Sequence, residues 1–396
     1  MLDIQTTEKG GTFVVNMGPQ HPSTHGVLRL ILELEGENVV RCVPDVGFLH
    51  TGMEKTMEDL TYQQAVTVTD RLDYLAPLSN NLAYALAVEK LMGLEIPPRA
   101  TVARVMLVEL QRVASHLLWV GSHAFDLGAV TPFLYGLRDR EVCLDIFEEC
   151  SGQRMMTSYI RVGGLYFDLP EGIEDKVLKA VDTIRSRLHH IEDLLTANPI
   201  WIQRTQGVGV LSPEDAIDLG VTGPMLRGSG VAWDLRKTEP YCGYEEYDFE
   251  MALGRNGDTY DRYLVRMEEI KQSLRIVEQA VHKLPAGDYT SQDRKGSLPP
   301  KPEIDVSMEA LIHHFKLVTE GLRPPAGEVY HAIESPRGEL GFFVASDGSG
   351  KPHRVRVRGP SFINLQALPR LAEGRLLADV VALIATTDPI MGEVDR

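Results

Sequence analysis

Two imidazoles stand four residues apart, His21 and His25, in the string Gly18-Pro19-Gln20-His21-Pro22-Ser23-Thr24-His25-Gly26. Its prolines and glycines oppose a helix, so it reads as a loop presenting the one side chain that changes protonation near neutral pH. Acid–base catalysis, a metal site and structural histidines all stay open on this spacing. A metal would need third and fourth ligands. His50 is a candidate third, but Pro22 works against the helical i,i+4 geometry that makes such a pair a good chelate. A second string, Arg71-Leu72-Asp73-Tyr74-Leu75, taken alone fits a half-buried core tyrosine. Asp126 follows a very apolar stretch, in Phe125-Asp126-Leu127-Gly128. A carboxylate there needs a partner or its pKa rises. A histidine would satisfy it and be held in one tautomer, and the spacing does not say which. The four cysteines, Cys42, Cys143, Cys150 and Cys242, form no CxxC and read as reduced thiols. An iron–sulfur cluster or Cys-held metal would have to come from elsewhere.

The elements that must position these residues change along the sequence. Residues 27–34 (VLRLILEL) and 39–46 flank Glu35-Gly36-Glu37-Asn38, a hairpin by alternation and turn chemistry. From about Tyr62 the texture is helical. Residues 81–92 form a helix stopped by Gly93. Residues 101–120 are apolar around most of the circumference, interrupted mainly by Arg104, Glu109, Gln111, Arg112 and His116, as in a helix buried at the centre of a bundle. Residues 132–150 make a third helix, with Cys143 and Cys150 at core spacing. Val177, Val181, Ile184, Leu188, Ile191 and Leu195 form a one-sided stripe, and Leu264 to Leu284 repeat the pattern. Between these, the Gly-rich segment 207–257 is long and irregular, which suggests a surface or interface role. Residues 291–302 read as a polar linker. A second hairpin follows, from 340–345 through Asp347-Gly348 to 354–358 (RVRVR), with Arg354, Arg356 and Arg358 on one face, either solvated or docked on an acidic partner. The expected fold is α+β and mainly α: an N-terminal antiparallel β region with the His loop (1–60), a long-helix bundle (61–290), and a linker with a mixed C-terminal region packing back on the cavity (291–396).

The whole sequence has 396 residues, enough for two or three units at ~150 residues each. Its 43% hydrophobic and 24% charged residues exclude a disordered chain. With 40 Lys+Arg against 56 Asp+Glu, the formal charge of −16 argues against nucleic acid as a partner. No run approaches the ~20 apolar residues of a membrane span, and the first residues lack a signal peptide's apolar core.

Taken in order, GPQHPSTHGVLRL, GFLHTGMEKTMEDLTYQQ, DRLDYL, LAYALAVEKL, ELQRVASHLLW, RVGG, ESPRGELGFF and DPIMGEVDR resemble one family along the entire sequence. It is the large quinone-site subunit, the D subunit, of bacterial NADH:quinone oxidoreductase, respiratory complex I. That family is similar to the large subunit of nickel–iron hydrogenases, whose metal is held by two CxxC pairs. Here Asp73 and Ala76 replace the first pair, and Asp388-Pro389-Ile390-Met391-Gly392-Glu393 stands where the second would be. With all four thiolates gone, the resemblance implies an inherited scaffold and an abandoned metal site.

The resemblance further implies a quinone headgroup as substrate in the emptied cavity, with Tyr74 and His25 at its carbonyl and Asp126 as the partner of His25. Electrons would come from a [4Fe–4S] cluster in the neighbouring B subunit, since this chain binds no cofactor or metal of its own. Arg71 and Met156 would lie near that cluster. Many members have a histidine where Met156 stands, so the cluster's potential is expected to depend less on pH here, as a redox titration would read. Thr51 replaces an arginine common in the family. The B, C and I subunits and the membrane-embedded H subunit of complex I are the implied partners. The implied place is the cytoplasmic side of the cell membrane, as a peripheral subunit. Two alternatives remain: the same subunit in a complex fed by ferredoxin or deazaflavin, and a non-catalytic scaffold. Intact His25, Tyr74 and Asp126 argue against the scaffold.

Overall fold

The computed structural model describes residues 3–5, 11–20, 25–293, 296–299 and 301–396, with the backbone alone at 3–5 and 301. Of the loop singled out by sequence, His21 lies outside the described residues and His25 within them.

The N-terminal sheet is fully antiparallel, in the order β1 (Asp3–Gln5), β2 (Thr12–Met17), β3 (Arg29–Glu35), β4 (Asn38–Asp45). The β3–β4 hairpin forms where alternation placed it, and Gly36 supplies the positive φ its tight turn requires. Leu30, Leu32 and Leu34 point to one face and are buried. Helix begins earlier than the expected Tyr62: α1 (Met53–Asp59) precedes α2 (Tyr62–Thr69), which opens on a Thr61/Gln64 capping box.

The bundle follows as α3 (Pro77–Met92), α4 (Pro98–Asp126) and α5 (Val130–Ser151). Next come the two-stranded β5 (Ile160–Arg161) and β6 (Gly164–Leu165), then α6 (Ile173–Leu195). Helix α4 is longer than its apolar run because Pro98 starts it and capping is deferred to Leu127. Every member of the α6 stripe named above is buried. Short helices α7 (Pro199–Thr205), α8 (Pro213–Asp218), α9 (Pro224–Gly228) and α10 (Leu235–Thr238) lead to α11 (Thr259–Lys283), on which Leu264 is exposed and beyond which Leu284 lies. Helices α12 (Lys301–Ile304) and α13 (Met308–Thr319) precede the antiparallel sheet β7 (Gly327–Ser335), β8 (Gly338–Ser346), β9 (Arg354–Arg358). Strand β7, opening on Gly327-Glu328, shows too little alternation to be read from sequence. Helices α14 (Pro360–Leu365), α15 (Leu368–Ala372), α16 (Leu377–Thr387) and α17 (Met391–Asp395) close the fold.

One apolar core joins α2–α6 and α11 to the β7–β9 sheet. A second joins β2–β4 to α8, α9 and α14–α17, so the sequence's two ends share a core. One expectation is corrected. Segment 207–257 is not a surface strap, because Met225, Arg227, Asp234, Arg236 and Tyr244 are buried and thread charge through the interior. A second is refined, since the RVRVR face is solvated but partly answered within the chain: Arg354 pairs with Glu54 and Glu58, Arg358 donates to the carbonyls of Glu339 and Gly220, and Arg356 is exposed. Among the described residues no helix is long and apolar enough to cross a membrane.

Candidate functional site

The turn between α2 and α3 carries Asp73 and Tyr74. It is pinned from inside: Leu75 N–H donates to Asp73 Oδ1 at 3.0 Å, Asn80 Nδ2 to the Asp73 carbonyl at 3.0 Å, and Gln111 Nε2 of α4 to the Leu75 carbonyl at 3.1 Å. Facing it is Arg337, on the Pro336-Arg337 turn of the β7–β8 hairpin. Its Nη1 donates to Asp73 Oδ2 at 2.7 Å and to Ser115 Oγ at 2.9 Å, and its Nη2 to Asp388 Oδ1 at 3.3 Å. Asp388 caps α16 in the left-handed region, φ 50°, and the chain then turns into α17. Helix α17 then meets the 71–74 turn so closely that a Cβ at Gly392 would lie 2.5 and 2.6 Å from the carbonyl oxygens of Arg71 and Leu72, and 3.4 Å from Tyr74 Cδ1. Only glycine permits that approach. The next residue, Glu393, is buried and accepts from Ser361 N–H at 2.9 Å.

Burial, opposed by Arg337 and reinforced by Asp388, raises the Asp73 carboxyl. Burial and then Asp73 push Glu393 up to about 7. The guanidinium of Arg337 is held protonated by Asp388 and Asp73 against the cost of burial.

His25 adopts φ 50°, in the left-handed region. Its Nε2 lies 3.7 Å from Asp126 Oδ2, too long for a hydrogen bond, and has no hydrogen-bond partner among the described residues. The pair is therefore adjacent without the bond that would fix a tautomer. Burial lowers the His25 pKa, with Asp388 opposing and Arg337 assisting. Burial also drives Asp126 up to about 6. Tyr74 is half-buried; burial and Asp73 raise its pKa, and it too senses Arg337 and Asp388. His25 and Tyr74, from elements on different parts of the chain, thus both feel the charges of Arg337 and Asp388. Behind His25, His123 packs between Trp119 and Trp201, with ring centroids 5.1 and 5.0 Å away. Burial, Arg266 and His25 drive it down to about 3.

The other residues singled out by sequence lie elsewhere. Arg71 and Met156 line one depression of about 290 Å³ with Thr67, Ser158 and Arg161. Arg71 and Thr51 share a neighbouring one of about 370 Å³. His50 is not with His25: its Nδ1 is 2.7 Å from the Asp395 carbonyl. Sequence reasoning misses Arg337, Asp388 and Glu393 as a group, although ESPRG and DPIMGE both stand out as strings. Their meeting is tertiary, since β8, β9 and α14–α16 lie between Arg337 and Asp388.

The donor set does not suit a metal held by thiolates. Asp73, Ala76, Ile390 and Glu393, which stand where the resemblance to hydrogenases would put four cysteines, include no thiol, and the actual cysteines are scattered, each pushed up to about 12, chiefly by burial. Among the described residues no His/Cys/Asp/Glu group is arranged to hold a metal ion.

A mainly helical α+β scaffold of hydrogenase large-subunit type, with small antiparallel sheets and a buried guanidinium–carboxylate cluster, defines the class. A family model described as the 49 kDa subunit of respiratory-chain NADH dehydrogenase matches residues 126–396, and the chain belongs to that family. It is 63% identical over 388 residues to the second NADH-quinone oxidoreductase D subunit of Roseiflexus sp. (strain RS-1), covering 97% of this chain and 93% of that one. It is 61% identical to the second D subunit of Chloroflexus aurantiacus, covering 97% and 94%. The D subunit of Geotalea uraniireducens is 54% identical, covering 96% and 98%.

Proposed function

We propose that this chain walls and roofs a quinone-reduction chamber in an NADH:quinone oxidoreductase. Its partners are the B subunit, which carries the terminal [4Fe–4S] cluster, the membrane-embedded H subunit underneath, and the C and I subunits. Within that assembly this chain sits peripherally, on the cytoplasmic side of the cell membrane. The names of the relatives support NADH over ferredoxin or deazaflavin as electron source. The observation that carries the reading is the convergence of the Tyr74 turn, Arg337, Asp388 and Gly392 of α17 in one place, whose charges His25 also feels.

The partner's cluster supplies single electrons; this chain's residues manage charge and protons. Quinone reduction to quinol takes up two electrons and two protons, and donors placed where oxygen charge develops lower the barrier. Tyr74 keeps its phenolic proton at neutral pH, so it donates a hydrogen bond to one reduced oxygen. His25, its pKa lowered, is a neutral imidazole with one N–H to give. Asp126, titrating near 6, stands beside it to answer the charge if the imidazole gains a proton. Arg71 and Met156, on one depression, suit the face turned to the cluster.

Membranes carrying Tyr74→Phe test this. The complex is expected to assemble and its clusters to be reduced by NADH, while quinone turnover falls ~10²-fold, the usual scale for removing a positioned proton donor. Wild-type turnover would make Tyr74 a packing residue and remove the reading's support.

A further inference from the structure

Around Arg337 lie three buried carboxylates, Asp73, Asp388 and Glu393. The guanidinium fork hydrogen-bonds Asp73 and Asp388 and leaves Glu393 out. Arg266 of α11 adds charge near Asp388, but it also answers Glu269, and its own hydrogen bonds go to the carbonyls of Arg262 and Thr386. Glu393 is fully buried; among the described residues Ser361 alone answers its carboxyl, its N–H donating to Oε2, and Oε1 is buried without a hydrogen bond. An ionised carboxylate so placed would be costly, whereas a carboxylic acid is tolerated. The charges facing it are Asp73 from the α2–α3 turn and Arg337 from the β7–β8 turn, with Asp388 beyond Arg337; α14 offers only Ser361. Within α17, Asp395 points away to Gly47 and Leu49, and Arg396 follows to Glu54.

We propose that Asp73 and Glu393, at two of the four former thiolate positions, hold one proton between them and form the proton store of the chamber. This rests on the quinone-site reading above. As electrons reach the quinone, the O–H bond of the pair breaks. Its proton passes to the reduced quinone oxygen by way of Tyr74, which gives up its phenolic proton and is reprotonated from the pair. The pair is left as two carboxylates beside Arg337. The second proton comes from bulk water, which also reloads the pair. The packing brings the three together: Tyr74 follows Asp73 in sequence on one turn, and α17 meets that turn at Gly392, next to Glu393, where a Cβ would lie 3.4 Å from Tyr74 Cδ1. The raised Glu393 pKa, about 7, agrees, because the store is loaded below that pH and empties as pH rises through it.

The experiment uses the assembled complex in membranes, comparing Glu393→Gln with wild type. Glutamine still accepts from Ser361 N–H but cannot release a proton. The store predicts normal assembly and cluster reduction, an unchanged quinone KM, kcat lowered at least ~10-fold, and loss of the alkaline fall in turnover near neutral pH. Redox-difference infrared spectra should show a protonated-carboxyl band in wild type that disappears on quinone reduction and is missing from the variant. Wild-type kcat and pH profile in Glu393→Gln, or a wild-type spectrum without that band, overturns the proposal. Should Glu393→Gln fail to assemble, the wild-type infrared measurement and Asp73→Asn decide on the same criteria. Tyr74→Phe run in parallel separates the two readings. Lost turnover there with a silent Glu393→Gln defeats the store alone; unaffected turnover in Tyr74→Phe defeats the quinone site itself.

Discussion

Arg337 is 1% exposed and donates to Asp73, Ser115 and Asp388 from the two-residue turn between β7 and β8. A buried guanidinium that bridges two carboxylates repays its own desolvation only through both, and removing it strands both. Arg337→Met is therefore expected to cost on the order of 3–5 kcal/mol of stability, read as a lowered denaturation midpoint of the chain. Arg337→Lys should recover only part of that loss, because one ammonium cannot reproduce a fork directed at two acceptors. A midpoint unchanged in Arg337→Met would mean that Asp73 and Asp388 are neutral in the folded protein. The same physics explains why the sequence is mute here. Asp73 in DRLDYL, Arg337 in ESPRGE and Asp388 in DPIMGE are each unremarkable polar residues locally, and only packing makes them partners. His25, Tyr74 and Asp126 are legible through family resemblance, since their spacing alone leaves catalysis, metal binding and packing open.

Helix α4 is legible because it is apolar nearly all round, and its few polar residues turn out to be the fold's internal anchors. Glu89 pairs with Arg104 through a 2.6 Å contact to Nη2, and Glu109 accepts from Arg112, Arg236, Tyr244 and Ser273. Arg236 also binds Asp234, while Arg227 joins Glu269 to Glu334 and Glu269 holds His116 at 2.9 Å. This second buried network is why segment 207–257 misleads. Its glycines and charges resemble a solvated loop, but Arg227 and Arg236 find interior partners on α4, α11 and β7. The packing of α5 on α4 is set by small residues: a Cβ at Gly136 would lie 2.4 Å from the Leu117 carbonyl oxygen, with Gly121 opposite. Gly136→Ala must push the helices apart, and the gain in helix propensity is smaller than that strain. A net loss of ~1–3 kcal/mol is expected, measurable as a lower thermal midpoint by circular dichroism. A stabilised Gly136→Ala would show that the two helices separate at little cost.

Over the whole molecule, the last residues of the sequence lock its opening segment. Asp395 accepts from Gly47 N–H at 2.8 Å and Leu49 N–H at 2.6 Å, its carbonyl meets His50 Nδ1, and Arg396 pairs with Glu54 at 3.3 Å while lying over the Phe362 ring. GEVDR and GFLHTGMEK, distant in sequence, are thus two halves of one contact. The contact also fixes helix α17, which carries Glu393 and, through Gly392, backs the turn that holds Tyr74. Asp395→Ala removes both carboxylate hydrogen bonds and leaves two backbone N–H groups of the 47–49 segment without acceptors. Each lost charge-assisted bond is worth roughly 1.5–3 kcal/mol locally, so this segment should open more often while the distant helix α6 does not. Hydrogen–deuterium exchange is expected to quicken at 47–54 and 391–395 and stay unchanged at 177–191. Turnover in the assembled complex should fall with it, because the side chains facing the ion cluster would lose their fixed backing. Uniformly faster exchange would mean that the contact supports global stability, and unaltered exchange at 47–54 would mean that packing of Phe362 and Arg396 suffices to hold the two ends together.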